Sequence, residues 1–293
     1  MSYAAIDIGS NSCRLLIADI HSSGLQTLYK EIGSTRISTG LSQSGQISAE
    51  AAERSLHWLA KTRAALQTYG VEQYRAVATS AVREASNGQA FVDEAARRSQ
   101  LVIEIISGEE EARLSYIGVE KGLHLDHPPL VVDLGGGSTE FICNEQDFVT
   151  SLPLGAVRAT EMKLSAAAIV QRLQVVQPMK SRFREYPLVM VGGTASSLAA
   201  IQLGLDIYDS EQVHGHHLSR QEISDIYQLL ERTPLRLRQR MPGLQAERAD
   251  IINQGVLIIL LIADMLEKRE IIVSESDLLQ GILWCGKFMK NFS

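Results

Sequence analysis

The strongest constraint in this 293-residue chain is a motif written twice. One apolar run closes on Asp7-Ile8-Gly9-Ser10-Asn11-Ser12, and 126 residues later another closes on Asp133-Leu134-Gly135-Gly136-Gly137-Ser138. Repetition at that scale implies two like-folded halves facing each other across a cleft, and the length fits two domains at roughly 150 residues each. In both copies an Asp ends a strand, and glycines and hydroxyls follow on a turn. Glycine lets backbone N–H groups approach an anion closely, Ser and Asn add donors, and the Asp can hold a divalent cation. Gly9, Ser10, Asn11, Ser12, Gly135, Gly136, Gly137 and Ser138 are therefore candidate phosphate-binding residues, and Asp7 and Asp133 candidate metal ligands. A third turn, Gly192-Gly193-Thr194, follows a strand and opens a helix, where free N–H groups and the helix dipole also favour an anion. It adds Gly193 and Thr194. A single loop of this kind is as readily a plain β-turn; a set with one Asp-led turn in each half is not.

The segments around these turns read as α/β. Apolar runs at 4–8, 13–20 and 25–32 suit a sheet of hairpins, the first pair joined by the Gly9–Ser12 turn. Residues 48–69 carry apolar side chains at helical spacing and end at Gly70. A strand at 74–79, a helix at 89–99, a strand at 102–106 and a helix from Gly108 follow. The stretch 123–129, with prolines and histidines, breaks the pattern and is the expected hinge, dividing the chain into domains 1–123 and 124–293. Beyond it, strands at 130–134, 140–143, 148–152, 188–191 and 271–274 alternate with helices at 194–203, 219–230, 246–268 and from Asp277.

Composition narrows the function classes. With 28 basic and 34 acidic side chains the net charge is −6, and no dense basic run marks a duplex nucleic-acid binder. The longest apolar stretch, 256–263, is far short of the ~20 residues that span a bilayer, so no membrane role is expected. The start of the chain reaches Asp7 at once, with no signal-peptide pattern. Cys13, Cys143 and Cys285 are scattered and form no CxxC, which reads as reduced thiols in a cytoplasmic protein. His214-Gly215-His216-His217 lacks the spacing of a zinc site and reads as a loop near the cleft mouth. The apolar helices around 257–261 and 278–283 read as core or as the face of a homodimer.

Acidic and basic side chains near the turns carry the chemistry. If Ser107 caps the helix from Gly108, Ser107-Gly108-Glu109-Glu110 is a capping box, in which the Glu110 carboxylate folds back on its own backbone. Glu111 then lies ~100° further round the helix, free to project into the cleft. Arg83, after a strand and Thr79-Ser80, is placed to reach anionic oxygens, although pairing with Glu84 is an alternative. Arg36 could extend a basic lane or lie on the surface.

Five segments, taken together, resemble a known family. They are Asp7–Ser12, Thr79-Ser80-Ala81-Val82-Arg83, Ile106-Ser107-Gly108-Glu109-Glu110-Glu111-Ala112-Arg113-Leu114, Asp133 through Glu140, and Gly192-Gly193-Thr194. In order and content they are similar to the motifs of the exopolyphosphatase / guanosine pentaphosphate phosphohydrolase family. The resemblance implies two ribonuclease-H-like domains of the actin-like ATPase superfamily, and Mg²⁺-dependent hydrolysis of a terminal phosphoanhydride, with Mn²⁺ a possible substitute. It makes Glu111 the catalytic glutamate that orients or deprotonates water. Asp133 and Glu140, with Asp7, would organise the metal. The glycine turns and Arg83 would hold the terminal phosphates of polyphosphate or guanosine pentaphosphate. Long family members carry a further C-terminal helical region, which this sequence does not show. A kinase of the same fold group, or a regulatory protein that binds polyphosphate or guanosine tetraphosphate with little turnover, are the competing readings.

Overall fold

A computed structural model describes residues 1–22 and 24–290. The chain divides into two compact units: residues 1–118 with 278–293, and residues 119–277. In the first unit, strands β1 (Ser2–Ile8), β2 (Cys13–His21) and β3 (Gly24–Gly33) form an antiparallel meander, and β4 (Gln73–Ala78) and β5 (Ile103–Ile105) continue the sheet in parallel with β1. The order is therefore β3-β2-β1-β4-β5, and a C-terminal strand, Met289–Lys290, also pairs with β4. Helices α1 (Ala49–Thr68), α2 (Gly88–Ser99) and α3 (Gly108–Gly122) fill the connections.

Both faces of this sheet are buried, which is why β1 and β2 read as nearly continuous apolar runs rather than as alternating ones. The period of two sends Ala4, Ile6, Ile8, Leu15 and Ile17 to one face, against Leu56, Leu59 and Leu66 of α1 and Phe91, Val92 and Ala95 of α2. Ala5, Leu16, Ala18 and Val77 go to the other face, against Leu114 and the C-terminal helix Leu278–Cys285 through Leu278, Leu279, Ile282 and Leu283. Ser48 caps α1, its Oγ accepting from the Ala51 amide, and Gly70 ends it at φ 60°, a conformation that favours glycine.

The second unit repeats the topology. Strands β6 (Leu130–Leu134), β7 (Thr139–Cys143) and β8 (Phe148–Leu152) form the meander. Strand β9 (Leu188–Val191) pairs in parallel with β6, followed by β11 (Glu270–Val273), with β10 (His217–Ser219) antiparallel at the far edge. Helices α4 (Gly193–Gln202), α5 (Arg220–Arg232) and α6 (Ile252–Met265) pack on the sheet around Phe141, Met190, Leu198, Ile223, Val256 and Ile259.

Several expectations change. The domain boundary at 123–124 moves into α3, where the chain passes from one unit to the next at Gly118–Val119, and the C-terminal helix belongs to the first unit. Sequence order alone placed that helix with its neighbours, whereas its apolar face finds cover on β1 and β2. The helix expected at 246–268 begins at Ile252, because 246–248 form a separate 3-10 turn. Helices Ala156–Glu161 and Ala166–Leu173, and strand β10, are additional elements, too short to show a periodicity in the sequence. Among the described residues no helix is long and apolar enough to cross a membrane. All the cysteines are free, and burial pushes the Cys13 thiol up to about 12.

The C-terminal helix approaches α3 closely, since a Cβ at Gly281 would overlap the Leu114 carbonyl. Gly281→Ala should therefore destabilise the first unit by about 2 kcal/mol, measured by denaturant unfolding. An unchanged midpoint would mean that the helix is not seated against α3.

Candidate active site

Each glycine turn closes in the same way. The Gly135 amide donates to the Ser138 carbonyl at 3.0 Å, and the Gly9 amide to the Ser12 carbonyl at 3.0 Å. In the second unit the carbonyls of the turn are then consumed on one side. Gly135 O accepts from the Ala156 amide (3.0 Å), Gly136 O from the amides of Val157 (2.9 Å) and Arg158 (3.0 Å), and Gly137 O from Arg158 Nε (2.7 Å). Among the described residues, the N–H groups of Gly136 and Gly137 make no backbone hydrogen bond. Carbonyls turned in and amides left open make a concavity for an anion. Gly155 makes this packing possible, because a Cβ there would overlap the Gly136 carbonyl.

At the base of the same turn, the β6–β7 register sets Asp133 opposite Glu140. Directly opposed residues of an antiparallel pair share a face, and like charges there disfavour one another. Glu140 is 1% exposed, and its Oε1 accepts from Ser151 Oγ at 2.6 Å. Two carboxylates beside an open set of amides suit Mg²⁺, a hard cation that binds through one or two carboxylates together with phosphate and water oxygens.

The first unit departs from this plan at one residue. The partner opposite Asp7 is Arg14, which donates from Nε to Asp7 Oδ2 at 2.8 Å. The two copies thus place opposite charges against their Asp. The carbonyls of the first turn are held by segment 36–38: Ser10 O accepts from the Ser38 amide (3.2 Å) and Ser38 Oγ (3.0 Å), and Asn11 O from the Arg36 amide (2.9 Å). Asn11 Nδ2 donates to Ser12 Oγ at 3.3 Å. Arg36 therefore supports the turn through its backbone, with φ 49°.

Helix α3 brings its first turn back to the end of β4. Glu111 is 8% exposed, and its Oε2 accepts from Arg83 Nη1 at 3.1 Å. Arg83 also donates to the Ile106 carbonyl at 2.9 Å, and Glu84 turns instead to Ser80 Oγ. The capping box expected at Ser107 is half formed: Ser107 Oγ accepts from the Glu110 amide at 3.1 Å. The Glu110 carboxylate does not fold back, because Arg75 Nη2 holds it at 2.6 Å. A complete reciprocal box forms instead between Ser219 and Glu222 at the start of α5.

The third turn has Gly192 at φ 97° and opens α4. Thr194 contributes its backbone there, its side chain being packed against Gly255 of α6. Sequence reasoning missed Arg248, whose guanidinium lies over Gly193 closely enough that a Cβ at Gly193 would overlap it. No local signal pointed to Arg248, because the contact joins positions far apart in the chain. The histidines go to separate partners: His214 to Gly122 O and the Glu275 amide, His216 to Gln202, and His217 to Glu270. Among the described residues no group of three or more His, Cys, Asp or Glu side chains forms a metal cluster.

The geometry has close relatives. A model of the Ppx/GppA phosphatase family matches residues 16–285. The chain belongs to that family. It is 31% identical to exopolyphosphatase 2 of Mycobacterium tuberculosis over 95% of this chain and 96% of that protein. It is 32% identical to the bifunctional 3-dehydroquinate synthase/phosphatase of Fusobacterium nucleatum over 97% of this chain, but spans only 46% of that protein. Among solved structures, the Aquifex aeolicus Ppx/GppA enzyme matches with TM-score 0.79 and 32% identity over 97% of this chain and 98% of that one. An exopolyphosphatase from Cytophaga hutchinsonii matches with TM-score 0.87 and 27% identity over 97% of both chains. The fold of this Ppx/GppA chain, two mixed α/β units with helices, is the fold of those structures.

The turn in the second unit yields a direct expectation. Gly155→Ala should displace Gly136 and Gly137 and weaken phosphate binding by about tenfold, while unfolding shifts by about 1–2 kcal/mol. Isothermal titration with tripolyphosphate beside denaturant unfolding measures both.

Proposed function

We propose that this chain hydrolyses the terminal phosphoanhydride of inorganic polyphosphate and releases orthophosphate. Guanosine pentaphosphate, which ends in the same anhydride, is a second substrate. The observation that carries the reading is the open-amide turn at Gly136 and Gly137, with Asp133 and Glu140 at its base. Phosphoryl transfer needs positioning and charge neutralisation more than covalent help from the protein. In this reading the two Asp-led turns and Arg248 hold phosphate oxygens, and Asp7, neutralised by Arg14, braces the first turn. Asp133 and Glu140 would hold Mg²⁺, which would neutralise charge on the phosphates. Arg83 fixes the Glu111 carboxylate, which retains acceptor capacity for a water hydrogen. Water oxygen attacks the terminal phosphorus, the bond to the bridging oxygen breaks, and the water proton passes to Glu111. A phosphate chain one unit shorter remains.

Three arginines support a long polyanion as the substrate. Arg232, Arg236 and Arg240 are exposed and, among the described residues, enter no ion pair. Arg238 between them turns inward to the Ala249 carbonyl at 3.0 Å, next to Arg248. The free cysteines fit a reducing, cytoplasmic setting, and a homodimer belongs to the same proposal.

Phosphate release measured without any acceptor, from both substrates at matched Mg²⁺, separates this reading from a kinase; a binding isotherm beside it separates it from a sensor. Activity should vanish in EDTA and return with Mg²⁺ or Mn²⁺, and full activity in excess chelator removes the metal assignment. Glu111→Gln should lower turnover by ~10²-fold with little change in melting temperature. KM for long polyphosphate should climb with KCl and rise about threefold in the double variant Arg236→Gln, Arg240→Gln, leaving tripolyphosphate unaffected. A KM flat in salt would exclude the arginine strip.

A further inference from the structure

Arg75 lies on β4 and its side chain is only 3% exposed, on the same face of the strand as buried Val77. A guanidinium in such a place is costly unless its charge is met. Two carboxylates meet it. Arg75 Nη2 donates to Glu104 Oε2 of β5 at 2.9 Å and to Glu110 Oε1 of α3 at 2.6 Å. Glu104 is a sheet neighbour, held by the strand pairing in which Val77 faces Glu104. Glu110 is different, because it is the residue before Glu111.

We propose that Arg75 is a positioning residue for Glu111, setting the rotation of α3 about its axis; the proposal rests on the reading of Glu111 as the group that takes the water proton. Successive residues of a helix point ~100° apart. A grip on Glu110 from the sheet therefore determines where Glu111 points. The first turn of α3 is held at Ser107 by its cap, at Glu110 by Arg75 and at Glu111 by Arg83. Arg75 ends up on β4, and Arg83 on the short helix Ser80–Glu84 directly after it. One strand–helix segment thus carries both cations, and the two adjacent glutamates are sorted between them. Misplacement of a reacting group by ~1 Å can cost ~10²-fold in rate, so the grip has a kinetic consequence as well as a structural one.

Glu104 supplies the control. It shares Arg75 with Glu110 but is carried by β5 and not by α3. Arg75 itself is too deeply buried to delete without endangering the fold, so its partners carry the test. In the full-length protein, Glu110→Ala should lower kcat by about tenfold or more with KM within about twofold, and Glu110→Gln, whose amide oxygen still accepts from Arg75, should recover most of the loss. Glu104→Ala should lower the melting temperature comparably and keep kcat within about twofold.

A readout independent of turnover is the ¹³C carboxyl resonance of Glu111, assigned by its disappearance in Glu111→Gln. It should move in Glu110→Ala and stay in Glu104→Ala. A Glu111 resonance unmoved in Glu110→Ala, or moved equally by both alanine variants, overturns the positioning role. Absence of phosphate release by the unmodified chain overturns the hydrolase reading instead, and the resonance still decides the role of Arg75.

Discussion

In both units the amide of the glycine just after the first strand closes on the carbonyl of the serine just before the second, and the rest of the site depends on that closure. A turn so tight must dispose of its remaining carbonyls. In the second unit the helix start at 156–158 takes them, and in the first unit segment 36–38 does. The consequence is chemical, since a turn with its acceptors satisfied on the inside presents donors on the outside. Gly155 is the residue on which this arrangement turns in the second unit, because any side chain there would occupy the space of the turn.

From one topology the two copies have diverged in charge. The position opposite the strand-end aspartate is Arg14 in the first unit and Glu140 in the second. A cross-strand ion pair stabilises its strands, while a cross-strand pair of carboxylates is held against its own repulsion. The second turn thus has two carboxylates at its base, whereas at the first turn Arg14 already engages one oxygen of Asp7. A like division of labour appears on α3, where Glu110 and Glu111 are drawn to Arg75 and Arg83.

Much of this was legible in the sequence. The repeated Asp-Gly turns, the opening hairpins and the alternation of strand and helix that follows them came from local residue order, because turns and strand periodicity are short-range properties. The Glu110 carboxylate is held by Arg75 and not by its own backbone. Ser107-Gly108-Glu109-Glu110 satisfies the capping-box pattern, but a buried guanidinium competes for the same carboxylate and binds it more strongly than a backbone amide does.

What the sequence by itself determined is the order of the main strands and helices, the twofold repeat and the groups that each turn carries. Only the tertiary structure decided that the C-terminal helix completes the first unit, that Arg248 covers Gly193, and that Arg75 meets Glu110. Each of these joins residues far apart in the chain. The C-terminal helix is placed by the apolar face of β1 and β2 that would otherwise lie bare, and Arg75 by the carboxylates that offset its burial. Local order records which groups a segment carries, but burial and charge compensation are satisfied by whichever group the fold brings within reach.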